Sequence, residues 1–406
     1  MANVSRESLF FVVFLFKVAY LFVFLKGRAG FVCLFVCCLF SETPLKPTEL
    51  PNEERLASRK NTFDTVNGVH NVNNASKAEV NLILLTYVRS GSSFTGDLLN
   101  HHPEVFYVYE PLYPVKWYFS RGEPASFLHR PPLSSREVSP EHLKQTVVRD
   151  FLNCDMQSLY LRSLTHFGLQ FGIKTNPYAT CLRHRPGTSP VPDVIRRCLP
   201  LLQSACVTLR VKVLKVVRLD MQSVQDLLKV DPKVKVVHLV RDPRPVLRSQ
   251  RSKGMFRTQD LAKVSGQFCK QVLRDLDEAE KLKIAHPRHV MTARYEDLAN
   301  EPIRFAEKLL AFADLRTDVQ LRQYIWNLTS AGIPDNVLSF NQRQSSRQTA
   351  NYWRETLEFS SASVIDENCW EVYKRIGYLP FSTEESLRNL TVRSYLDMKN
   401  SITRLW

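Results

Sequence analysis

Arg89-Ser90-Gly91-Ser92-Ser93 is the stretch whose residue types could do chemistry. An arginine supplies a permanent planar cation that grips an anion bidentately, and the serines add hydroxyl donors. The glycine lets backbone approach a ligand closely. Just upstream, Leu82–Leu85 is an apolar run of the length of a buried strand; downstream, Phe94 to Asn100 carries apolar residues at helical spacing. A strand feeding a hydroxyl-rich turn and then a helix leaves unpaired N–H groups and a positive dipole end at the helix start. That arrangement suits a phosphate-like anion. It is not the nucleotide P-loop, because no glycine lies five residues before Gly91 and no lysine follows it. Taken alone, the stretch also fits a plain serine-capped helix.

A second segment has the same design. Val234 to Gln250 reads VKVVHLVRDPRPVLRSQ. The strand ends at Val240, Arg241-Asp242-Pro243 turns, and proline suits the helix start that follows. Arg244 to Ser252 is then a short helix, with Pro245 confined to its first turn. Arg241 and Ser249 face one phosphate if that helix folds back across the strand end. The competing reading has Asp242 capping the helix and Arg241 pairing with a carboxylate. Glu110, in YEPLY, is the candidate general base: aromatic neighbours can shape a sugar platform and raise a carboxylate pKa by desolvation. It could instead be a structural glutamate bonded to a backbone amide or an arginine. His101 and His102 are the other candidate bases.

These groups need a scaffold. Leu82–Tyr87, Val211–Val217, Val234–Val240 and Val290–Ala293 read as strands separated by helical segments, which predicts a parallel sheet covered on both faces. Lys212 and Lys215 suggest that the second is less buried. Ligands in such sheets sit beyond the carboxyl ends of the strands. Arg89, Arg218, Arg241 and Arg294 each follow a strand run, so a multiply anionic ligand is expected at that rim. Val105 to Tyr109 is a further short apolar stretch. Residues 120–140 read as loop and 141–170 as helical. Residues 171–208, with five prolines and three cysteines, read as an irregular, disulfide-pinned insertion.

At 406 residues the chain can hold one large α/β domain or two smaller ones. The net charge of +15 calls for an anionic partner. No zinc finger, RNP motif or basic heptad region accompanies it, so no nucleic acid is expected. Nine cysteines include no C-x-x-C pair, so no metal site is expected. Six of them, Cys154, Cys181, Cys198, Cys206, Cys269 and Cys369, could form up to three disulfides in an oxidising lumen. Residues 9–40 are apolar apart from Lys17 and the Lys26-Gly27-Arg28 break, and read as a single uncleaved membrane anchor. Residues 41–79 read as a polar, proline-containing stem. Asn74, Asn327 and Asn389 open glycosylation sequons.

Together the two anion segments resemble the cofactor signature of the Golgi carbohydrate sulfotransferases, on the branch that sulfates the 6-hydroxyl of galactose, N-acetylgalactosamine or N-acetylglucosamine. The residues that carry the resemblance are TYVRSGSSF at 86–94, FYVYEPLYPV at 106–115, KVVR at 215–218, VVHLVRDPRPVLRS at 236–249 and RYEDLANEP at 294–302. YWRETL at 352–357 and IGYLP at 376–380 also fit, so the match spans residues 80 to 380. Tyr87-Val88 is a departure, standing where many members carry two threonines.

The resemblance implies a P-loop-like α/β sulfotransferase fold and the sulfate donor 3′-phosphoadenosine 5′-phosphosulfate (PAPS), with no metal. It places Val88, Arg89, Ser90, Gly91, Ser92, Ser93 and Phe94 around the 5′-phosphosulfate, and Arg241 and Ser249 on the 3′-phosphate. Arg89 and Glu110 are then the catalytic pair, and the acceptor is a glycan or glycosaminoglycan of keratan or chondroitin type. The implied organisation is a tail and anchor at 1–40, a stem at 41–79, a catalytic domain at 80–385 and a tail at 386–406, in a type II Golgi protein with a lumenal catalytic domain. Two other functions fit part of the pattern. A phosphoryl-transfer enzyme would lack its lysine and its Mg²⁺ pattern here. A catalytically silent, membrane-tethered binder of acidic glycans would have no need of Arg89, Arg241 and Ser249.

Overall fold

A computed structural model describes residues 11–15, 18–22, 79–134, 136–184, 191–330 and 345–396. The chain divides into two compact units, residues 1–73 and 74–406. In the first, β1 (Phe11–Leu15) and β2 (Val18–Phe22) pair antiparallel, with Phe11 opposite Phe22. Both lie in the stretch expected to hold the anchor. The rest of 9–40, and the stem as far as residue 78, lie outside the described residues. Among the described residues no helix is long and apolar enough to cross a membrane.

The second unit is built on a five-stranded sheet. Its strands are β3 (Val80–Leu85), β4 (Val105–Tyr109), β5 (Val211–Val216), β6 (Val234–Val240) and β7 (Val290–Arg294), in the order β4-β5-β3-β6-β7. Every neighbouring pair is parallel. The strands are aliphatic on both sides because both sides are covered. Ile83, Leu85, Phe106, Val108, Leu214 and Val216 point into one core with helices Pro140–Leu152, Val191–Thr208 and Met221–Val230. Leu82, Leu84, Val105, Tyr107, Val213 and Leu239 point into the other with helices Ser92–Asn100, Pro302–Phe312 and Val319–Thr329. Burying each such Leu or Val contributes about 1.5–3 kcal/mol of transfer free energy. The α/β class with a parallel sheet is therefore as expected.

Several local expectations are corrected. β5 is not less buried: Lys212 and Lys215 are 3% and 1% exposed. It is an inner strand between β3 and β4, and its lysines reach Glu79 and Glu110 with their ammonium ends (3.2 and 2.5 Å). Val105–Tyr109 adds an edge strand to the four expected. The described residues of 171–208 are not irregular. They contain helices Asn176–Arg183 and Val191–Thr208, with proline in each first turn, where no intrahelical N–H is lost. Pro200 sits inside the second, whose buried Val194, Ile195, Cys198, Leu199, Leu202 and Cys206 keep helical spacing. Helical structure in 141–170 is interrupted: after Pro140–Leu152 come the short turn Leu161–Leu164 and the 3₁₀ segment Phe167–Phe171. Asn389 is exposed in the turn after helix Glu384–Arg388, whereas Asn327 lies in helix Val319–Thr329 with its sequon Thr329 buried.

All six candidate cysteines pair: Cys154–Cys206, Cys181–Cys198 and Cys269–Cys369. The last joins helix Leu261–Ala285 to helix Phe359–Ile376 inside a third core formed with Val240, Leu247, Val272 and Ile365. It closes the longest loop, a separation of 100 residues, so it removes the most chain entropy from the unfolded state. Replacing Cys269 and Cys369 by serine should lower the unfolding free energy by about 2–5 kcal/mol, read as a shift of the urea midpoint. An unchanged midpoint would show that this bond does not hold the two helices.

Candidate active site

The strand order makes the site. β3 lies between β5 and β6, and the chain crosses from one side of β3 to the other, so loops diverge at its carboxyl end. The loop after β3 and the loop after β6 meet there. Arg89 takes φ 72° and Gly91 φ 85°, which folds the backbone back and opens helix Ser92–Asn100. A Cβ on Gly91 would clash with the Tyr295 ring, so position and conformation both demand glycine. Gly91 is itself the N-cap and no side chain caps the helix, which removes the serine-capped alternative. The first-turn N–H groups are left without an internal acceptor.

Arg89 Nε donates to Ser249 Oγ (2.9 Å), and Arg241 Nη1 donates to the Arg89 carbonyl (3.3 Å). Gln250 Nε2 donates to the Val88 carbonyl (2.9 Å), so helix Pro243–Ser252 folds back over the loop as its sequence suggested. Asp242 does cap that helix, accepting from Arg244 N–H (2.9 Å). Arg241, however, pairs with no carboxylate among the described residues; its guanidinium lies over the Tyr295 ring, 4.3 Å from the centroid. Phe94 packs edge-on to the same ring (6.4 Å). Ser92 is buried, and Ser93 Oγ lies 3.2 Å from Tyr109 Oη, tying the loop helix to the end of β4.

Two donors at this junction have no partner. Ser90 Oγ and Arg241 Nε are buried and unbonded. A buried donor normally has an acceptor, and orphans beside an arginine and uncapped N–H groups ask for an anion. The donor set therefore fits a phosphosulfate and phosphate carrier: it holds cations, hydroxyls and amides, and Arg89 and Arg241 face it from two strands.

Glu110 follows β4 in a left-handed conformation, φ 46°. Arg89 and Glu110 are two of four non-glycine residues with positive φ among the described ones, and each such residue costs roughly 1–2 kcal/mol. Glu110 accepts from Lys215 Nζ (2.5 Å) and Arg218 Nη1 (2.7 Å). The expectation of a raised pKa is corrected here. Burial does push the carboxyl up, but the Lys215 ammonium and the Arg218 guanidinium outweigh it and hold the pKa below the usual glutamate value.

The other candidates go elsewhere. His101 and His102 close the far end of helix Ser92–Asn100, about 13 Å from the loop at 1.5 Å per residue. His101 stacks on Tyr324 and bonds Asp97; His102 bonds the Arg316 carbonyl. Arg294 turns inward, 1% exposed, to Asp297 and the Ile376 carbonyl, so it is no part of the anion rim. Arg218 serves Glu110. Residues the sequence did not single out are Gln250, Tyr295 and Lys215, which act through contacts more than a hundred residues away in the chain.

Glu296 braces the Arg241 turn. It accepts from Asp242 N–H (3.1 Å) and Tyr378 Oη (3.0 Å) and is buried. Burial, with the Asp242 charge, pushes its pKa up to about 7 despite Arg241 and Arg294. A raised folded-state pKa means that the stabilising protonated form is present below about pH 4.5 and is lost as pH rises through about 7. The effect is on the order of 3 kcal/mol. Glu296→Gln, which cannot ionise, should therefore melt higher than the parent at pH 8, with the gap closing by pH 5. A gap that stays constant across that range would contradict the titration.

The Sulfotransferase family model matches residues 82–319. Carbohydrate sulfotransferase 5 of Homo sapiens is 30% identical over 352 residues, covering 77% of this chain and 81% of its own. Carbohydrate sulfotransferase 6 of Homo sapiens is 30% identical over 354 residues, covering 78% and 85%. Carbohydrate sulfotransferase 1 of Rattus norvegicus is 28% identical over 375 residues, covering 84% and 87%. A solved mouse sulfotransferase complexed with PAP overlaps at TM-score 0.36 and 11% identity, over 73% of this chain and 84% of that one. The family match runs through the Arg89 loop, Glu110 and the Arg241–Ser249 segment, and the chain belongs to the sulfotransferase family, among its carbohydrate sulfotransferases.

Proposed function

We propose that the protein transfers sulfate from PAPS to the 6-hydroxyl of a galactose, N-acetylgalactosamine or N-acetylglucosamine residue in a keratan- or chondroitin-like glycan. The observation that carries this reading is the meeting of the Val88–Phe94 loop with Arg241 and Ser249 at the carboxyl ends of β3 and β6, with Ser90 and Arg241 donors left unbonded. The acceptor class rests on the relatives' names. A type II Golgi protein with residues 9–40 as its anchor agrees with three disulfides, which persist in an oxidising compartment.

PAPS, when bound, supplies an already activated sulfate, so the protein's tasks are alignment and charge stabilisation. The Arg89 guanidinium and the N–H groups of Gly91, Ser92 and Ser93 would hold the 5′-phosphosulfate and take up charge on the leaving oxygen. Arg241 and Ser249 would hold the 3′-phosphate. Glu110 would accept the proton of the acceptor hydroxyl. Lys215 and Arg218 keep it ionised and aimed, at the cost of basicity. A weak but always ionised base suits a transfer in which the acceptor proton leaves late.

Arg89→Ala should cut turnover by about 10²–10³-fold while leaving the melting temperature near the parent's, because the side chain is exposed. Near-normal turnover in a folded Arg89→Ala protein would remove the loop from the reaction. Ser249→Ala should mainly raise KM for the donor; an unchanged donor KM would take Ser249 out of the site. Glu110→Gln separates two roles. As a base it should lose roughly 10²–10⁴-fold in transfer with PAP binding retained. Lost PAP binding with a lowered melting temperature would instead mark Glu110 as a brace for Lys215 and Arg218.

A further inference from the structure

Beside Glu110 lies a ledge that the family motifs do not include. The 3₁₀ segment Phe167–Phe171 packs on the end of β4 so tightly that a Cβ on Gly168 would strike the Tyr109 carbonyl. Asn100 clamps its far end, donating to the Phe171 carbonyl (3.1 Å) and accepting from Ile173 N–H (2.9 Å). Thr175 Oγ1 donates to the Leu169 carbonyl (2.5 Å). The backbone of the ledge is thus held by hydrogen bonds from Asn100 and Thr175.

Those rings form a connected shelf. Tyr109 meets Phe171 at 5.0 Å, Tyr113 meets His166 at 5.1 Å and Phe167 at 5.7 Å, and Phe167 meets Phe171 at 5.9 Å. Arg218, which bonds Glu110, lies 4.7 Å from the Tyr113 centroid, so the shelf starts where Glu110 is held. Its outer members stay open: Phe167 is 53% and Phe171 38% exposed. A single exposed ring needs no explanation, but two adjoining ones beside a candidate catalytic carboxylate each forgo about half or less of the ~1.5–3 kcal/mol that complete burial of the side chain would contribute. A cavity of about 430 Å³ opens beside Phe167, lined by that ring with Thr165, His166, Gln170 and Arg183 and floored by Leu182 and Val194, within the range of small-molecule sites, ~300–1,000 Å³. His166 Nδ1 accepts from Gly168 N–H, so Nε2 carries the proton, and Nε2 is buried without a partner.

We infer that Phe167 and Phe171 are the platform on which a pyranose ring of the glycan acceptor stacks, with the adjoining cavity taking the neighbouring sugar of the chain. A pyranose has one face of polarised C–H bonds and a rim of hydroxyls. The negative ring faces attract the first, while Gln170, Thr165 and Arg183 meet the second. A sugar stacked there lies next to Tyr113, whose ring neighbours the Arg218 that bonds Glu110. This rests on the glycan-acceptor reading above.

The test uses Phe167→Ala, Phe171→Ala and the double variant, with Phe167→Trp as the conservative control. Desulfated keratan and chondroitin hexasaccharides are titrated in the presence of PAP, a readout that needs no turnover. The double variant should bind the preferred hexasaccharide at least tenfold more weakly, with PAP affinity unchanged and a single cooperative melt retained, and Phe167→Trp should bind like the parent. Equal hexasaccharide affinity in parent and double variant, or no binding by the parent, would overturn the platform. The two readings fail separately. Transfer with an unaltered acceptor KM in the double variant sinks the platform alone. Phenylalanine-dependent binding without any transfer from PAPS sinks the sulfotransferase reading alone.

Discussion

The site depends on one buried ion pair. Arg244 is fully enclosed and pairs with Asp242 through Nη2 (2.7 Å) and Nε (3.0 Å). A guanidinium taken out of water is costly unless its donors are met. Here Nη1 also reaches the Leu379 carbonyl (2.9 Å), and Trp353, Tyr373 and Phe381 surround the ion at 4.8–5.1 Å. Asp242 meanwhile caps helix Pro243–Ser252. One carboxylate therefore fixes both the turn that aims Arg241 and the helix that carries Ser249. The C-terminal segments are fastened to the same point. Arg354, beside Trp353, donates to the Ser386, Leu387, Asn389 and Val392 carbonyls, and so closes residues 386–392 over the aromatic box. The YWRETL and IGYLP stretches are thus structural partners of the Arg241 turn.

The anion site and the acceptor side are held by different strands. β3 and β6 lead into Arg89 and Arg241; β4 and β5 lead into Glu110 and the cations that restrain it. β5 lies against both β3 and β4, and Ser93 with Tyr109 closes the gap across it. Lys215 works on both fronts, bonding Glu110 and lying 4.1 Å from the Tyr109 centroid. A charge change at Lys215 would therefore be felt first by Glu110, which it bonds directly, and only through Tyr109 and Ser93 by the Arg89 loop.

Much of this was legible in the sequence because it is local. A strand, a turn and a helix are written in consecutive residues, so the loop at Arg89 and the turn at Arg241 could be found by their order alone. The resemblance added the pairing of the two. What was not legible came from distant contacts. Lys212 and Lys215 looked like interruptions because their partners Glu79 and Glu110 lie more than a hundred residues away. Glu110 looked like a carboxylate in an aromatic pocket for the same reason. Prolines in 171–208 suggested irregularity, although Pro177 and Pro192 stand in first turns, which tolerate them, and Pro200 is carried inside a helix whose buried face keeps its spacing. Arg294 follows a strand as Arg89 and Arg241 do, and only packing turns it to Asp297. The ledge at Phe167–Phe171 carries no signal beyond an aromatic cluster.

The central claim is that one site carries two anion contacts, the Arg89 loop for the 5′ group and Arg241 with Ser249 for the 3′-phosphate. Calorimetric titration with PAP and with adenosine 5′-monophosphate, which lacks the 3′-phosphate, tests it directly. The account predicts one PAP bound per chain and at least tenfold weaker binding of the monophosphate, since a charge-assisted contact is worth about 1.5–3 kcal/mol. No PAP binding, or equal affinity for the two ligands, would contradict it.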